Sequence, residues 1–305
     1  MTVGITGGTG FIGHHLCKLL QESGHEVVIF TRTPMKQHDL PHVHYAYWNP
    51  YQDKFDLIYL QKVDAMIHLA GAGIADKRWT SKRKEEIVHS RVHTTNFLVG
   101  KLREYGENCK VLLSASAIGY YGPDRAGHSF FKETDEHYDD FLGNTCARWE
   151  AEAHKAEDFL RTVIFRFGIV MGKEDGMFPQ LSKAAAAGVL PILGGGKQMI
   201  SWIHADDLCR MMIRAVENEE IKGVYNAVSP YPVSQKQLMA IIAKVRGGLK
   251  IPIPVPVAAL KIMLGEMSSE VLKSTTVSAE KTLKAGFKPE YDTMEKAVRE
   301  ILGKG

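Results

Sequence analysis

The chain predicts an α/β protein, a doubly wound parallel sheet followed by a smaller C-terminal region, and three observations carry that expectation. Short β-branched runs alternate with longer helix-like stretches, a glycine-spaced turn follows the first run, and at 305 residues with 45% hydrophobic content the chain can bury a large core. In order, "VGIT" reads as the first strand, with a helix after it to about Ser23, and "EVVIFT" as the second strand. "DAMIHLA" follows as the fourth, "KVLLSAS" as the fifth and "RTVIFRFGIV" as the sixth. The crossover between the fourth and fifth is one long helix from Ser81 to Glu104, capped by Thr80 or Ser81, with Ile87, Val88, Phe97, Leu98 and Leu102 apolar. From about Gly172 the pattern changes to glycine-rich loops, the helix "LSKAAAAG", a helix beginning near Ala205 and an isolated strand "GVYNAV". Alternating prolines after Lys250 favour an extended course. Helical segments then end at Gly286 and restart at "DTME", where Asp292 and Glu295 read as a capping box.

Composition narrows the function. A net charge of +3 lacks the basic field of nucleic-acid binders, so no nucleic-acid partner is expected. Cys17, Cys109, Cys146 and Cys209 are scattered, without a CxxC pair, which fits a reducing cytoplasm. The N-terminus lacks the basic region of a signal peptide. The most apolar stretches are broken by Arg161 and Arg166 or by Pro252, Pro254 and Pro256, so no membrane partner is expected and small-molecule chemistry is favoured.

"VGITGGTGFIGHHLCKLL" places Gly7, Gly10 and Gly13 in GxxGxxG spacing between a strand and an amphipathic helix. Gly7 permits the tight turn and Gly10 lets the backbone approach a pyrophosphate. Gly13 lets helix and strand pack, while the helix N-terminus, at Phe11 and Ile12, stabilises the anion. An NAD site usually has a carboxylate about 20 residues on, for the ribose 2′-hydroxyl. Here the second strand ends "FTRTP", where Arg32 can pair with a 2′-phosphate and Thr31 can donate to it, so NADP (NADPH) is the expected cofactor. Leu69, Ala70 and Gly71 are expected to contact the cofactor at the carboxyl edge of the sheet, and Ser114 and Val170 farther along it. On the long helix, Glu86 would reach the adenine and Arg91 the phosphates. The resulting division is a Rossmann-type NADP-binding domain, 1–171 with 201–228 contributing, and a substrate-side region, 172–200 and 229–305, that includes a tail domain of about 250–298.

The blocks "TGGTGFIG", "HLAG", "RFGIV" and "WIHADDL" resemble the extended short-chain dehydrogenase/reductase superfamily. "AGAGIADKRWT", "SASAIGYYG", "CARWEAEA", "GGGKQMISWIHADD" and the tail "VPVAALKIMLGEMS…AGFKPEYD" look more narrowly like its atypical epimerase-family proteins with a C-terminal domain of unknown function. The resemblance implies a serine after the fifth strand, best matched by Ser116, and a YxxxK pair on the next helix, whose positions fall here on Cys146 and Glu150. A phenol normally needs a neighbouring cation to work near neutral pH, and this pair offers neither group. A thiol beside a carboxylate has its thiolate disfavoured, which makes Cys146 a structural cysteine, while Glu150 remains a candidate base. Ser116, Tyr120 and Glu150 are therefore the candidate catalytic residues, with Tyr121 beside them in the loop.

Other signals carry less. His38, His42 and His44 cluster without a supporting cysteine or carboxylate spacing, so no metal site is expected. "DKRWTSKRK" opens a helix and reads as a solvated face or a patch attracting an anionic substrate, and "LGGGKQ" lacks the Ser or Thr of a Walker loop. In "SWIHADD", Asp206 or Asp207 is expected to favour the next helix start. Two readings stay open. One is an NADP-dependent oxidoreductase or epimerase acting on a nucleotide sugar or small carbonyl compound; the other is a catalytically silent, NADP-responsive binding or regulatory protein.

Overall fold

The computed structural model describes residues 1–34, 41–174 and 176–304; His38 lies outside them. The central sheet begins with β1 (Thr2–Thr6), β2 (Glu26–Thr31), β3 (Val43–Asn49), β4 (Lys54–Phe55), β5 (Ala65–His68), β6 (Val111–Ala117) and β7 (Arg161–Phe167). The chain continues through β8 (Ile169–Met171), β9 (Val189–Leu193), β10 (Met199–Ile200), β11 (Trp202–His204), β12 (Gly223–Ala227), β13 (Val233–Ser234) and β14 (Ile251–Val255). Around these lie α1 (Phe11–Glu22), α2 (Leu57–Leu60), α3 (Ser81–Tyr105), α4 (Phe141–His154), α5 (Met177–Ala186), α6 (Ala205–Glu217) and α7 (Gln235–Arg246). The tail adds α8 (Val257–Leu264), α9 (Ser268–Leu272), α10 (Glu280–Lys284) and α11 (Met294–Ile301).

Eight strands form the main sheet in the order β12-β7-β6-β5-β1-β2-β3-β4, parallel except for the β3–β4 hairpin. Helices cover both faces, so the inner strands are apolar on both sides rather than alternating. One face buries Val3, Ile5 and Ile29 against Leu16 and Leu20 of α1 and Leu208 and Met212 of α6. The other buries Phe30, Met66 and Leu112 against Leu98 and Leu102 of α3. Because β1 is flanked by β2 on one side and β5 on the other, the chain reverses direction across the sheet there. A crevice at the carboxyl ends of these strands is where such sheets bind ligands.

Four expectations change. "GVYNAV" is not isolated: β12 pairs in parallel with β7 and closes the sheet edge. "RTVIFRFGIV" is two strands, since after Gly168 the chain leaves the main sheet and β8 pairs with β11. Helix α6 is capped by His204, whose ring accepts from the Asp206 amide at 3.2 Å, so neither aspartate is the cap. Helix α11 is capped by Thr293, which leaves Asp292 to pair with Lys296 at 2.8 Å rather than form a capping box. A second core unites Phe178 of α5, Trp202 of β11, Leu238 and Ile242 of α7, and Val298 of α11. Among the described residues, no helix is long and apolar enough to cross a membrane.

Candidate functional site

The glycine turn does three separate jobs. Gly7 has φ +74°, and a Cβ there would stand 2.8 Å from the carbonyl carbon of Leu69, so the turn presses against the end of β5. At Gly13 a Cβ would collide with the Gly7 carbonyl oxygen, which makes this glycine the close packing point of helix and turn. A Cβ at Gly10 would meet only that same oxygen, at 3.4 Å; its other side is open. Helix α1 starts there with no side-chain cap and no acid in its first turn, leaving its first amides for an anion.

A cavity of about 600 Å³ opens at this point, and Gly7, Gly10, Thr31, Arg32, Leu69, Ala70, Gly71 and Glu86 all line it. Thr9, Phe30, Thr33, Trp48, Pro50, Tyr51, Ala72, Ser90 and Thr94 complete the wall and were not expected from the sequence. Tyr51 stacks on His89 and His93 at 5.3 and 5.7 Å, giving the rim an aromatic face. Burial raises the Tyr51 phenol, and the Arg32 cation partly offsets that rise. Arg32 is exposed just after β2, and Glu86, the one carboxylate of the lining among the described residues, is held by Arg83 at 2.7 Å and lowered by it. The donor set thus fits the phosphates of a dinucleotide: free amides at the open turn and a guanidinium with no ion pair among the described residues.

Other expected cofactor residues lie outside this lining. Arg91 is buried and donates to the carbonyls of Ala72 and Ile87 at 3.0 and 3.1 Å, with its guanidinium 5.2 Å from the Trp149 ring centre. It braces the loop after β5 from beneath, and burial lowers its pKa. Phe11 packs against Gly172, Ile12 against the first core, and Val170 pairs with Ile203. Ser114 lies inside β6, its hydroxyl donating to the Ala115 carbonyl at 3.2 Å.

The candidate catalytic residues meet in a buried polar network at the carboxyl ends of β6 and β7. The Ser116 hydroxyl donates to Glu150 at 2.5 Å, and Arg166 donates twice to the same carboxylate, at 2.9 and 2.7 Å. The other end of that guanidinium donates to the Tyr121 hydroxyl at 2.8 Å, which in turn donates to Asn226 at 2.6 Å. Burial raises the Tyr121 phenol, so this tyrosine stays protonated. Burial opposes the Arg166 charge, but the Glu150 carboxylate and the Tyr121 oxygen outweigh it and its pKa is raised. Cys146 is pushed up to about 12 by burial and by Glu150, so it remains a thiol. Tyr120 differs from its neighbour: its ring lies 3.4 Å from the Arg166 guanidinium, it is only half-buried, and its hydroxyl has no hydrogen-bond partner among the described residues.

Residues 3–227 match the NAD dependent epimerase/dehydratase family, and residues 255–301 match a domain of unknown function, DUF1731. The chain is 34% identical to epimerase family protein YfhF of Bacillus subtilis (strain 168), over 99% of this chain and 98% of that one. It is similar in structure to human epimerase family protein SDR39U1 (isoform 2), solved with NADPH, with a TM-score of 0.86, 27% identity and full coverage of both chains. A nucleoside-diphosphate sugar epimerase from Corynebacterium glutamicum aligns with a TM-score of 0.78 and 31% identity, over 99% of this chain and 58% of that one.

Proposed function

The chain belongs to the NAD dependent epimerase/dehydratase family, and from that premise we propose that it is an NADPH-dependent oxidoreductase or epimerase acting on a nucleotide sugar or small carbonyl compound, with Tyr120 as its proton-transfer residue. The observation that carries this reading is the Tyr120 phenol, its hydroxyl without a hydrogen-bond partner among the described residues and its ring held on a buried guanidinium at 3.4 Å. Gly10, the first turn of α1, Thr31 and Arg32 would hold the dinucleotide, whose nicotinamide would supply hydride to a carbonyl substrate, or take and return it in an epimerisation. The likeness to human SDR39U1, solved with NADPH, supports that cofactor.

Arg166 is fixed by its two bonds to Glu150, and it fixes the Tyr120 ring in turn through a cation–π contact. Glu150 already accepts three hydrogen bonds, from Ser116 and Arg166, so its part is positioning rather than base chemistry. Ser116 is oriented by that carboxylate, and Tyr120 Oη is left to give or take the substrate proton.

That same engagement of Ser116 and Glu150 favours a second reading, a silent NADPH-responsive protein. Purified protein with NADPH should be challenged with carbonyl compounds and nucleoside diphosphate sugars. Turnover that falls about 100-fold or more in Tyr120→Phe, with NADPH affinity unchanged, is the expected result. Turnover untouched by Tyr120→Phe would remove that residue, and NADPH binding without turnover on any compound would leave the silent reading.

A further inference from the structure

A second cavity, of about 530 Å³, lies between α5, the end of α7 and the end of α11, and shares no lining residue with the dinucleotide groove. Lys173, Lys183, Arg246 and Lys304 line it together with the Ser182 hydroxyl, and among the described residues no carboxylate does. The nearby acids of α11 are engaged elsewhere, Glu295 with Lys244 and Arg299 and Glu300 with His204.

Cations at helix C-termini offset the helix dipole, and that accounts for part of the cluster. Lys304 donates to the Arg246 carbonyl at 3.1 Å, and one arm of Arg246 donates to Ser182 at 2.5 Å. It does not account for the rest. The Arg246 Nε is buried with no acceptor, and the ammonium groups of Lys173 and Lys183 have no ion pair among the described residues. A buried donor without an acceptor is costly, and an anion held at the cavity by the half-buried Arg246 guanidinium would offset that cost electrostatically. Phe178, Pro179, Ala186 and Ile301 make the remaining wall apolar.

We propose that this cavity binds the phosphate group of an anionic ligand that also carries an apolar part. A phosphate offers several acceptor oxygens to one guanidinium and surrounding ammonium groups, and its double charge matches a site with four cations. The phosphate has two possible sources, a soluble phosphomonoester or a phospholipid headgroup. The second is worth testing because Leu249 and Ile251, 87% and 58% exposed, follow directly on the end of α7.

Calorimetric titration of the NADPH-saturated protein with inorganic phosphate and with hexyl phosphate keeps the dinucleotide site out of the measurement. One saturable site is expected, tighter for hexyl phosphate, and weakened about tenfold or more in both Arg246→Gln and Lys183→Gln. Lys183 is exposed and makes no described bond, so its variant tests the ligand rather than the fold. Co-sedimentation with vesicles of phosphatidic acid in phosphatidylcholine, lost in Lys183→Gln, would support the site with a lipid as its source; binding of the free phosphates alone would support a soluble ligand. No saturable binding to either free probe or to vesicles, or binding undiminished in both variants, overturns the proposal.

Discussion

Arg32 and Glu150 are single residues whose neighbours decide their chemistry. Arg32 follows the end of β2 on the cavity rim, and Glu86, the only carboxylate of the lining among the described residues, is bonded to Arg83. A 2′-phosphate would therefore meet an available cation, whereas a 2′-hydroxyl would gain only a weak hydrogen bond. Arg32→Ala is expected to weaken NADPH about tenfold to a hundredfold and NADH hardly at all, as read by fluorescence titration of both cofactors. Equal losses would sink the phosphate assignment. Glu150 stands where the family resemblance implies a lysine, and the paired cation is instead contributed by Arg166 on β7. The positive charge near the loop tyrosines thus comes from a strand rather than from α4, with the carboxylate on α4 holding it in place.

At the scale of elements, what could be read in advance depended on how local the constraint was. The turn from β1 into α1 is set by neighbouring residues, so Gly7, Gly10 and Gly13 could each be given a role from spacing alone. Trp48, Pro50 and Tyr51 could not, because they reach the cavity only through the pairing of β2 with β3 and the short turn that follows it. The Glu150–Arg166 pair was hidden for the same reason: it requires β6 beside β7 with α4 packed over both. Acids at the start of α6 looked like helix-start signals, yet Asp207 is fully buried and faces the tail. Its two oxygens accept the amides of Glu290 and Tyr291 at 2.9 Å each, and Arg210 donates to it at 2.8 Å. Asp207→Asn replaces an acceptor with an amide donor facing backbone N–H groups. The expected cost is about 2–4 kcal/mol by chemical denaturation, with faster hydrogen exchange in α11 before the rest of the chain. A loss spread evenly over the whole molecule would mean that Asp207 does not anchor the tail.

For the whole molecule, the response to acid follows from groups that join distant parts of the chain. His68 closes β5 at the middle of the sheet, fully buried, with Nδ1 2.6 Å from the Thr6 hydroxyl of β1 and Nε2 3.0 Å from that of Thr95 on α3. Burial lowers its pKa from 6.5 to about 3, so the folded protein keeps the ring neutral. The unfolded chain takes up that proton first, and the stability gained from neutral His68 is complete above pH 6.5 and is lost as the pH falls from there toward 3. His15 has the opposite sign. Its hydrogen bond to Asp206 raises its pKa, so its contribution is complete below 6.5 and fades as the pH rises through the raised value. Asp206 is lowered by the same bond, and its contribution is lost only at pH values below its ordinary 3.8. Between about pH 7.5 and about pH 5, His68 is therefore the group expected to weaken the fold, by about 2 kcal/mol. His68→Asn keeps a polar side chain between the two threonines but cannot be protonated. Urea denaturation of both proteins at the two pH values should show the wild type losing about 2 kcal/mol more than the variant, whatever the variant's absolute stability. The same pH dependence in both proteins would assign the acid weakening to groups away from the centre of the sheet.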